Sequence, residues 1–348
     1  MSSRLTVSLS ALADNYRRLC ARAHGDVGAV VKADGYGLGA AAMASHLAGQ
    51  GCKELFVATT AEGLALRRVL ADAVIYVFEG AYADTVPDLA GAGLIPVINT
   101  PSQRDAWAPT GKPAAVHVDT GMQRLGFDWR TATLELAGVP FQISLFVSHF
   151  ARADEPGHSS VAQQIDRCMP VYRALQSSQP DMRLSLCNSA GLLEGIGPED
   201  LGRAGIALYG GNPYAEGANP MAPVVTLEGR VMQVRQVPEA TPVGYGGHFL
   251  TTQESLLAVV GLGYADGVPR LLSNNGCAVI AGQRYPIVGR VSMDLTIVDV
   301  TGAEVTEGDW AELIGAQIEI DTVAGQAQTL AYEILTGIST RVPREYLE

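Results

Sequence analysis

From residue 27 to about residue 209 the chain repeats one pattern. A short run of β-branched and apolar residues is followed by a longer, more polar segment rich in Ala and Leu. Short apolar runs bounded by turn residues read as buried strands, and the segments between them carry a helical period. The runs fall near 27–32, 55–59, 74–78, 94–98, 114–119, 143–149 and 184–187, with a last one inside 201–209. The clearest helices between them are predicted over 38–48, 61–70 and 161–175. Eight strands with helical crossovers in ~200 residues fit a compact (β/α)8 barrel, and a doubly wound sheet is the competing reading. Upstream, residues 4–9 read as a strand. Ser10 reads as the N-cap of a helix over 11–23, in which Leu12, Tyr16 and Leu19 recur at helical spacing.

The rhythm breaks at 212–223, a stretch rich in Gly, Pro and Asn. Beyond it the runs at 224–234, 255–261, 277–280, 285–291, 296–300 and 311–314 are strand-like, with one helical segment at 328–334. Residues 1–223 are therefore expected to form the barrel and residues 224–348 a smaller, mainly β domain. The first strand is a candidate to pack with that second domain. With 47% apolar and 17% charged residues the chain has ample material for a core. The balance of 24 basic against 36 acidic residues, with no basic block, argues against nucleic acid or an anionic membrane as a partner. The five cysteines, Cys20, Cys52, Cys168, Cys187 and Cys277, are scattered and form no CxxC pair, which fits a reducing compartment. The N-terminus has no apolar run of signal-peptide type, and no stretch of ~20 apolar residues could span a bilayer. A soluble, cytoplasmic protein is expected.

In a (β/α)8 barrel the site lies at the C-terminal ends of the strands. Lys32 ends the first run. Asp119-Thr120-Gly121 ends the fifth, with Arg124 just after. Ser148-His149 and Asn188-Ser189 end the next two, and the last carries Arg203 and Gly205. Lys32 follows Val27-Gly28-Ala29-Val30-Val31. Desolvation there would lower its pKa and suit Schiff-base chemistry with an aldehyde cofactor; the competing reading is an emerging lysine paired with Asp34. The glycines at 35, 37 and 39 do not follow the GxGxxG spacing, and no acid ends the next strand, so a dinucleotide is not expected. Arg124 could hold a carboxylate or lie free on a loop. The six histidines include no HExxH or clustered pair, so His149 reads as a hydrogen-bonding group and no metal is expected. In the second domain Tyr245 and Tyr264 are flanked by glycines, either as turn tyrosines or as acid/base groups.

Nine blocks together resemble the alanine racemase family. They are AVVKADGYGLGA (29–40), HVDTGMQRLGF (117–127), SHFARADE (148–155), CNSAGLL (187–193), GRAGIALYGGNP (202–213), VGYGG (243–247), GLGYADGVPR (261–270), VGRVSMDLTIVDV (288–300) and YEILTGISTRVPREY (332–346). They run in order through both domains. The resemblance implies a barrel that carries pyridoxal 5′-phosphate, a C-terminal β domain, and a homodimer whose sites are shared between subunits. It implies racemisation of alanine, supplying D-alanine for peptidoglycan. Lys32 would carry the cofactor and act as one base at Cα, and Tyr245 of the partner copy would be the base on the opposite face. His149 would tune that tyrosine, and Arg203 would face the pyridine nitrogen. Tyr36, Ser189 and Tyr332, with the backbone at Gly205 and Ile206, would hold the phosphate. Arg124 and the Met293 backbone would address the cofactor's phenolic oxygen and the substrate carboxylate, while Tyr264 and Asp294 would line the entry.

The chain departs from the family pattern at four places. His117 stands where many members have a carbamylated lysine that orients the arginine. Asp34-Gly35 replaces a common Asn-Ala, Leu38 a frequent histidine, and Ser292 a frequent cysteine. Two readings compete with alanine: a racemase preferring another small amino acid such as serine, and a non-catalytic barrel that only binds the cofactor. The glycine-triplet loop and Glu-Pro-Gly-Arg block of the related amino-acid decarboxylases are absent.

Overall fold

A computed structural model describes residues 2–348; residue 1 of the expected barrel domain lies outside them. After strand β1 (Ser3–Ser8) and helix α1 (Leu9–Cys20), eight parallel strands form one sheet. They are β2 (Asp26–Val30), β3 (Glu54–Val57), β4 (Val74–Val77), β5 (Ile95–Ile98), β6 (Ala114–Asp119), β7 (Ile143–Val147), β8 (Arg183–Ser185) and β9 (Leu201–Ala204). Helices α2 (Ala40–Gly49), α3 (Thr60–Arg67), α4 (Val86–Gly91), α5 (Pro101–Trp107), α6 (Ser159–Gln176) and α7 (Ser189–Leu193) lie between them.

The sheet runs β9-β2-β3-β4-β5-β6-β7-β8 and curls until its two edges meet. There Asp200 N donates to Leu184 O at 2.9 Å and Arg203 N to Cys187 O at 3.0 Å, which closes the barrel. Strands covered on both faces can be apolar throughout, as in β4 and β5. The barrel reading therefore holds over the doubly wound one. The largest fully buried side chains include Phe56, Trp107, Phe146 and Tyr209.

Helix α1 begins two residues earlier than expected. Ser8, still extended, is the N-cap, and its hydroxyl accepts from Ala11 N at 3.1 Å; Ser10 falls inside the first turn. The reason is that β1 ends at Ser8 and the chain turns at once.

The second sheet is mixed and eight-stranded. Its long central strand β10 (Val225–Val237) pairs along one half with β1, in the register Leu5↔Leu227, and along the other with β11 (Ser255–Val260). A hairpin of β12 (Cys277–Ile280) and β13 (Gln283–Pro286), then β14 (Thr296–Asp299) and β15 (Trp310–Ile314), complete the body of the sheet. After α8 (Ile320–Gln326) and α9 (Ala331–Gly337), the last strand β16 (Arg344–Leu347) lies parallel to β1. The first and last strands of the chain are thus neighbours in the second sheet. Leu5 and Val7 of β1 are fully buried there.

Three elements differ from the sequence reading. The run at 285–291 is a strand only to Pro286, because Gly289 is left-handed (φ +74°) and packs against the backbone at Val243. Helix α8 and strand β16 were not anticipated; both are short, α8 is held by burying Ile320, Val323 and Ala324, and β16 by pairing with β1, rather than by propensity.

Candidate active site

A cavity of about 490 Å³ opens at the C-terminal end of the barrel strands, within the range of small-molecule sites. Lys32, Arg203 and Arg124 line it together with His117 and His149. Lys32 lies two residues beyond the end of β2, and its Nζ lies 5.8 Å from the Phe78 ring centre. Burial, then the Arg124 cation, push the Lys32 ammonium below its ordinary pKa, against the opposing pull of Glu62. The backbone beyond Lys32 is unusual. Ala33, Asp34, Gly35 and Tyr36 are left-handed in succession, with φ of +52°, +54°, +63° and +57°. Such angles cost a side-chain-bearing residue about 1–2 kcal/mol each. The Asp34 carboxylate accepts from Ala40 N at 2.8 Å, so it closes this turn onto α2 and forms no ion pair with Lys32.

The same cavity gathers hydroxyl groups from three separate segments of the chain. Ser189, at the start of α7, brings its hydroxyl to Gly205 N at 2.9 Å. Tyr36 is buried and stacks on Tyr209 with ring centres 4.5 Å apart. Tyr332 reaches in from α9, and its ring lies 6.0 Å from that of Tyr36. Burial raises both phenols, that of Tyr332 to about 12, so both stay protonated hydrogen-bond donors at neutral pH. At Gly205 an added Cβ would lie 2.6 Å from Tyr36 Oη. Gly205→Ala is therefore expected to push the Tyr36 phenol out of place. Loss of an oxyanion donor is worth ~10-fold or more in affinity for a phosphate-bearing ligand, read by equilibrium titration.

Arg203 is wholly enclosed on β9. Its Nη1 donates to Ser185 Oγ at 2.6 Å and its Nη2 to Ser148 O at 2.7 Å. Nη2 also lies 3.0 Å from His149 Nδ1. A guanidinium carries only donors, so His149 Nδ1 is the acceptor and the ring proton sits on Nε2. Burial, followed by the Arg203 cation, holds His149 neutral well below the usual histidine range. The pair is a charged donor backed by a neutral ring.

The family description "Alanine racemase, N-terminal domain" matches residues 7–213, and "Alanine racemase, C-terminal domain" matches 224–346. The chain is 42% identical to an alanine racemase of Methylobacterium nodulans, over 99% of this chain and 96% of that one. It is 41% identical to a catabolic alanine racemase of Agrobacterium fabrum, over 100% of this chain and 92% of the relative. An alanine racemase structure from Bartonella henselae with covalently bound pyridoxal phosphate superposes with a TM-score of 0.92 at 35% identity, covering 100% of both chains. The chain belongs to the alanine racemase family.

At the family's lysine position, His117 sits at the end of β6. Asn99 Nδ2 donates to Phe78 O at 3.0 Å and to Val97 O at 2.7 Å, which turns its Oδ1 toward His117 Nδ1 at 2.9 Å. His117 therefore donates from Nδ1 and keeps Nε2 as an acceptor. Burial, then the Arg203 cation, push its pKa down to about 4. A carbamylated lysine would bring a negative charge here; this chain brings a neutral ring, so His117 leaves the Arg124 charge uncompensated.

Tyr36, Arg124, Ser189, Ile206, Gly205 and Tyr332 line the same cavity as Lys32, His149 and Arg203. Tyr245, Tyr264, Met293 and Asp294 do not. Tyr245 is 72% exposed, and Tyr264 and Met293 stand at the surface. Asp294 accepts from Arg341 Nη2 at 2.7 Å.

Sequence reasoning missed the side chains that knit the barrel rim. Gln103 Nε2 donates to Glu79 O at 2.7 Å, and its Oε1 accepts from Asn99 N at 2.8 Å. Gln164 joins Ala151 N to His149 O. Glu62 joins the ends of β2 and β3. Only Glu62 had a local signal, because Thr59-Thr60-Ala61-Glu62 has capping-box spacing and the structure forms that box.

Proposed function

We propose that this protein interconverts L- and D-alanine, with pyridoxal phosphate held in the barrel mouth. The supporting observation is one cavity lined by both a desolvated lysine and the Ser189–Gly205–Tyr36 cradle, a fit to an aldehyde that carries a phosphate. Lys32 Nζ would bind the cofactor covalently, and Tyr36, Ser189 and Tyr332 with the backbone at Gly205 and Ile206 would hold its phosphate. Pyridoxal phosphate, when bound, supplies an electron sink for the Cα carbanion.

Arg203 would face the pyridine nitrogen. Because a guanidinium does not give up its proton, that nitrogen stays unprotonated, which limits charge spread into the ring and disfavours transamination. Arg124 and the Met293 backbone would address the cofactor's phenolic oxygen and the substrate carboxylate, with Tyr264 and Asp294 lining the entry and the site.

Racemisation removes a proton from one face of Cα and delivers one to the other. Lys32 serves one face. Tyr245 of a second copy serves the other in a homodimer, with His149 tuning it. The exposure of Tyr245 in the single chain supports this assignment. Mirror symmetry sets the equilibrium constant of the reaction at unity, so one site can supply D-alanine for peptidoglycan or consume it. We place the reaction in the cytoplasm; among the described residues no helix is long and apolar enough to cross a membrane.

The test is D-alanine formation from L-alanine by the purified protein with pyridoxal phosphate. Fast formation supports the reading. Turnover of serine in preference to alanine moves the substrate, and cofactor binding without turnover of either points to a carrier. Tyr245→Phe removes one proton-transfer group, so racemisation should fall ~10²–10⁴-fold while cofactor binding survives. Unchanged turnover would sink the two-base assignment.

A further inference from the structure

The left-handed turn after Lys32 is held from two sides. From the second domain, Arg344 Nη2 donates to Gly37 O at 2.8 Å and Tyr346 Oη to Leu38 O at 2.8 Å. From the barrel, Glu62 Oε1 accepts from Ala33 N at 2.8 Å, one peptide beyond Lys32. Its other oxygen, Oε2, accepts from Ala58 N at 2.7 Å and Thr59 N at 3.3 Å, at the end of β3. One carboxylate thus ties the residue next to the reactive lysine to the neighbouring strand. The capping box fixes Glu62 itself, because its N–H donates to Thr59 Oγ1 at 3.2 Å.

We propose that Glu62 is a positioning residue: its two carboxylate oxygens lock the left-handed turn to the end of β3 and so fix where the Lys32 amine sits. The inference rests on Lys32 being the reactive amine. A rigid backbone next to that amine matters because displacement of a reacting group by ~1 Å can cost ~10²-fold in rate. Charge acts in the same place. Of the charged groups around Lys32, Arg124 opposes its protonation and Glu62 favours it, while His149 is neutral.

The test compares Glu62→Ala and Glu62→Gln with the parent. Glutamine can accept on one side only and presents an amide N–H₂ to donors on the other, so it should fall between the two. The first readout is racemisation by the cofactor-loaded enzyme: kcat for Glu62→Ala is expected to fall ~10–100-fold with KM for alanine nearly unchanged. The second is trace acetylation of the full chain before cofactor is added, read by peptide mapping. The chain has three lysines, Lys32, Lys53 and Lys112, so Lys53 and Lys112 serve as references.

In both variants the pH midpoint for Lys32 labelling should move to lower pH, because a nearby negative charge is gone, while the references stay put. Parent-like kcat and an unmoved Lys32 midpoint in a folded Glu62→Ala protein would overturn the proposal. If Glu62→Ala fails to fold, the same two readouts on Glu62→Gln decide. If the parent's cofactor maps to Lys53 or Lys112 instead, the Lys32 assignment fails, and that outcome is distinct from a failure of Glu62.

Discussion

Lys32→Ala should leave a folded protein that no longer holds pyridoxal phosphate covalently and racemises alanine at least ~10³-fold more slowly. On the proposed two-base reading the variant loses both the group that binds the cofactor and one of the two proton-transfer groups, so the effect should be the largest of any single substitution. The fold should be indifferent. Lys32 stands at the end of a strand with its amine desolvated, and among the described residues no ion pair depends on it. Thermal unfolding should therefore match the parent within a few degrees, and peptide mapping of the borohydride-treated protein should find no cofactor on Lys53 or Lys112. Racemisation at the parent rate would refute the role of Lys32.

Acid should destabilise this fold through its two enclosed histidines. His117 is held down to about 4, against 6.5 for an unperturbed ring, mainly because burial disfavours the imidazolium. Between these values the unfolded chain binds a proton that the folded chain refuses, so stability rises with pH across the window and is lost as pH falls through it. At pH ~4 the loss from His117 alone is about 3 kcal/mol, a large share of a typical folding free energy. His149 acts in the same direction, since it is depressed by burial and by Arg203. Glu54 and Glu199 act in the opposite direction, because burial raises both carboxyls. Urea unfolding of the parent and of His117→Gln at pH 7.5 and 4.5 isolates the histidine, since the carboxyl contributions cancel in the comparison. The variant should show the shallower pH dependence, having no ring to protonate while its amide can still donate to Asn99. Equal slopes would show that His117 is not held neutral.

The amino-acid order alone was enough for the barrel rhythm, because parallel strands buried on both faces are mostly apolar and the helices between them are amphipathic. It also placed Lys32, Arg124, His149, Ser189 and Arg203 at strand ends, and strand ends of a closed barrel meet at one mouth whatever lies between them. Boundaries were less legible. The cap of α1 moved from Ser10 to Ser8 because sheet pairing of β1, not local propensity, sets where the strand stops.

What only the tertiary structure decided is long-range. That β1 lies beside β16 depends on pairing across the whole chain, and no local period encodes a partner more than 300 residues away. The neutral state of His149 depends on burial and then on Arg203, 54 residues on. The tautomer of His117 depends on Asn99, whose amide is oriented by carbonyls at the end of β4 and within the adjoining strand β5. The left-handed turn beyond Lys32 has glycine only at its third position, so its hand follows from the Glu62 clamp and the Arg344 and Tyr346 braces. Residue type and spacing therefore determined which groups reach the mouth. Their charge state, tautomer and backbone hand were set by burial and by hydrogen bonds from distant strands, because those energies exist only once the barrel has closed and water has been excluded.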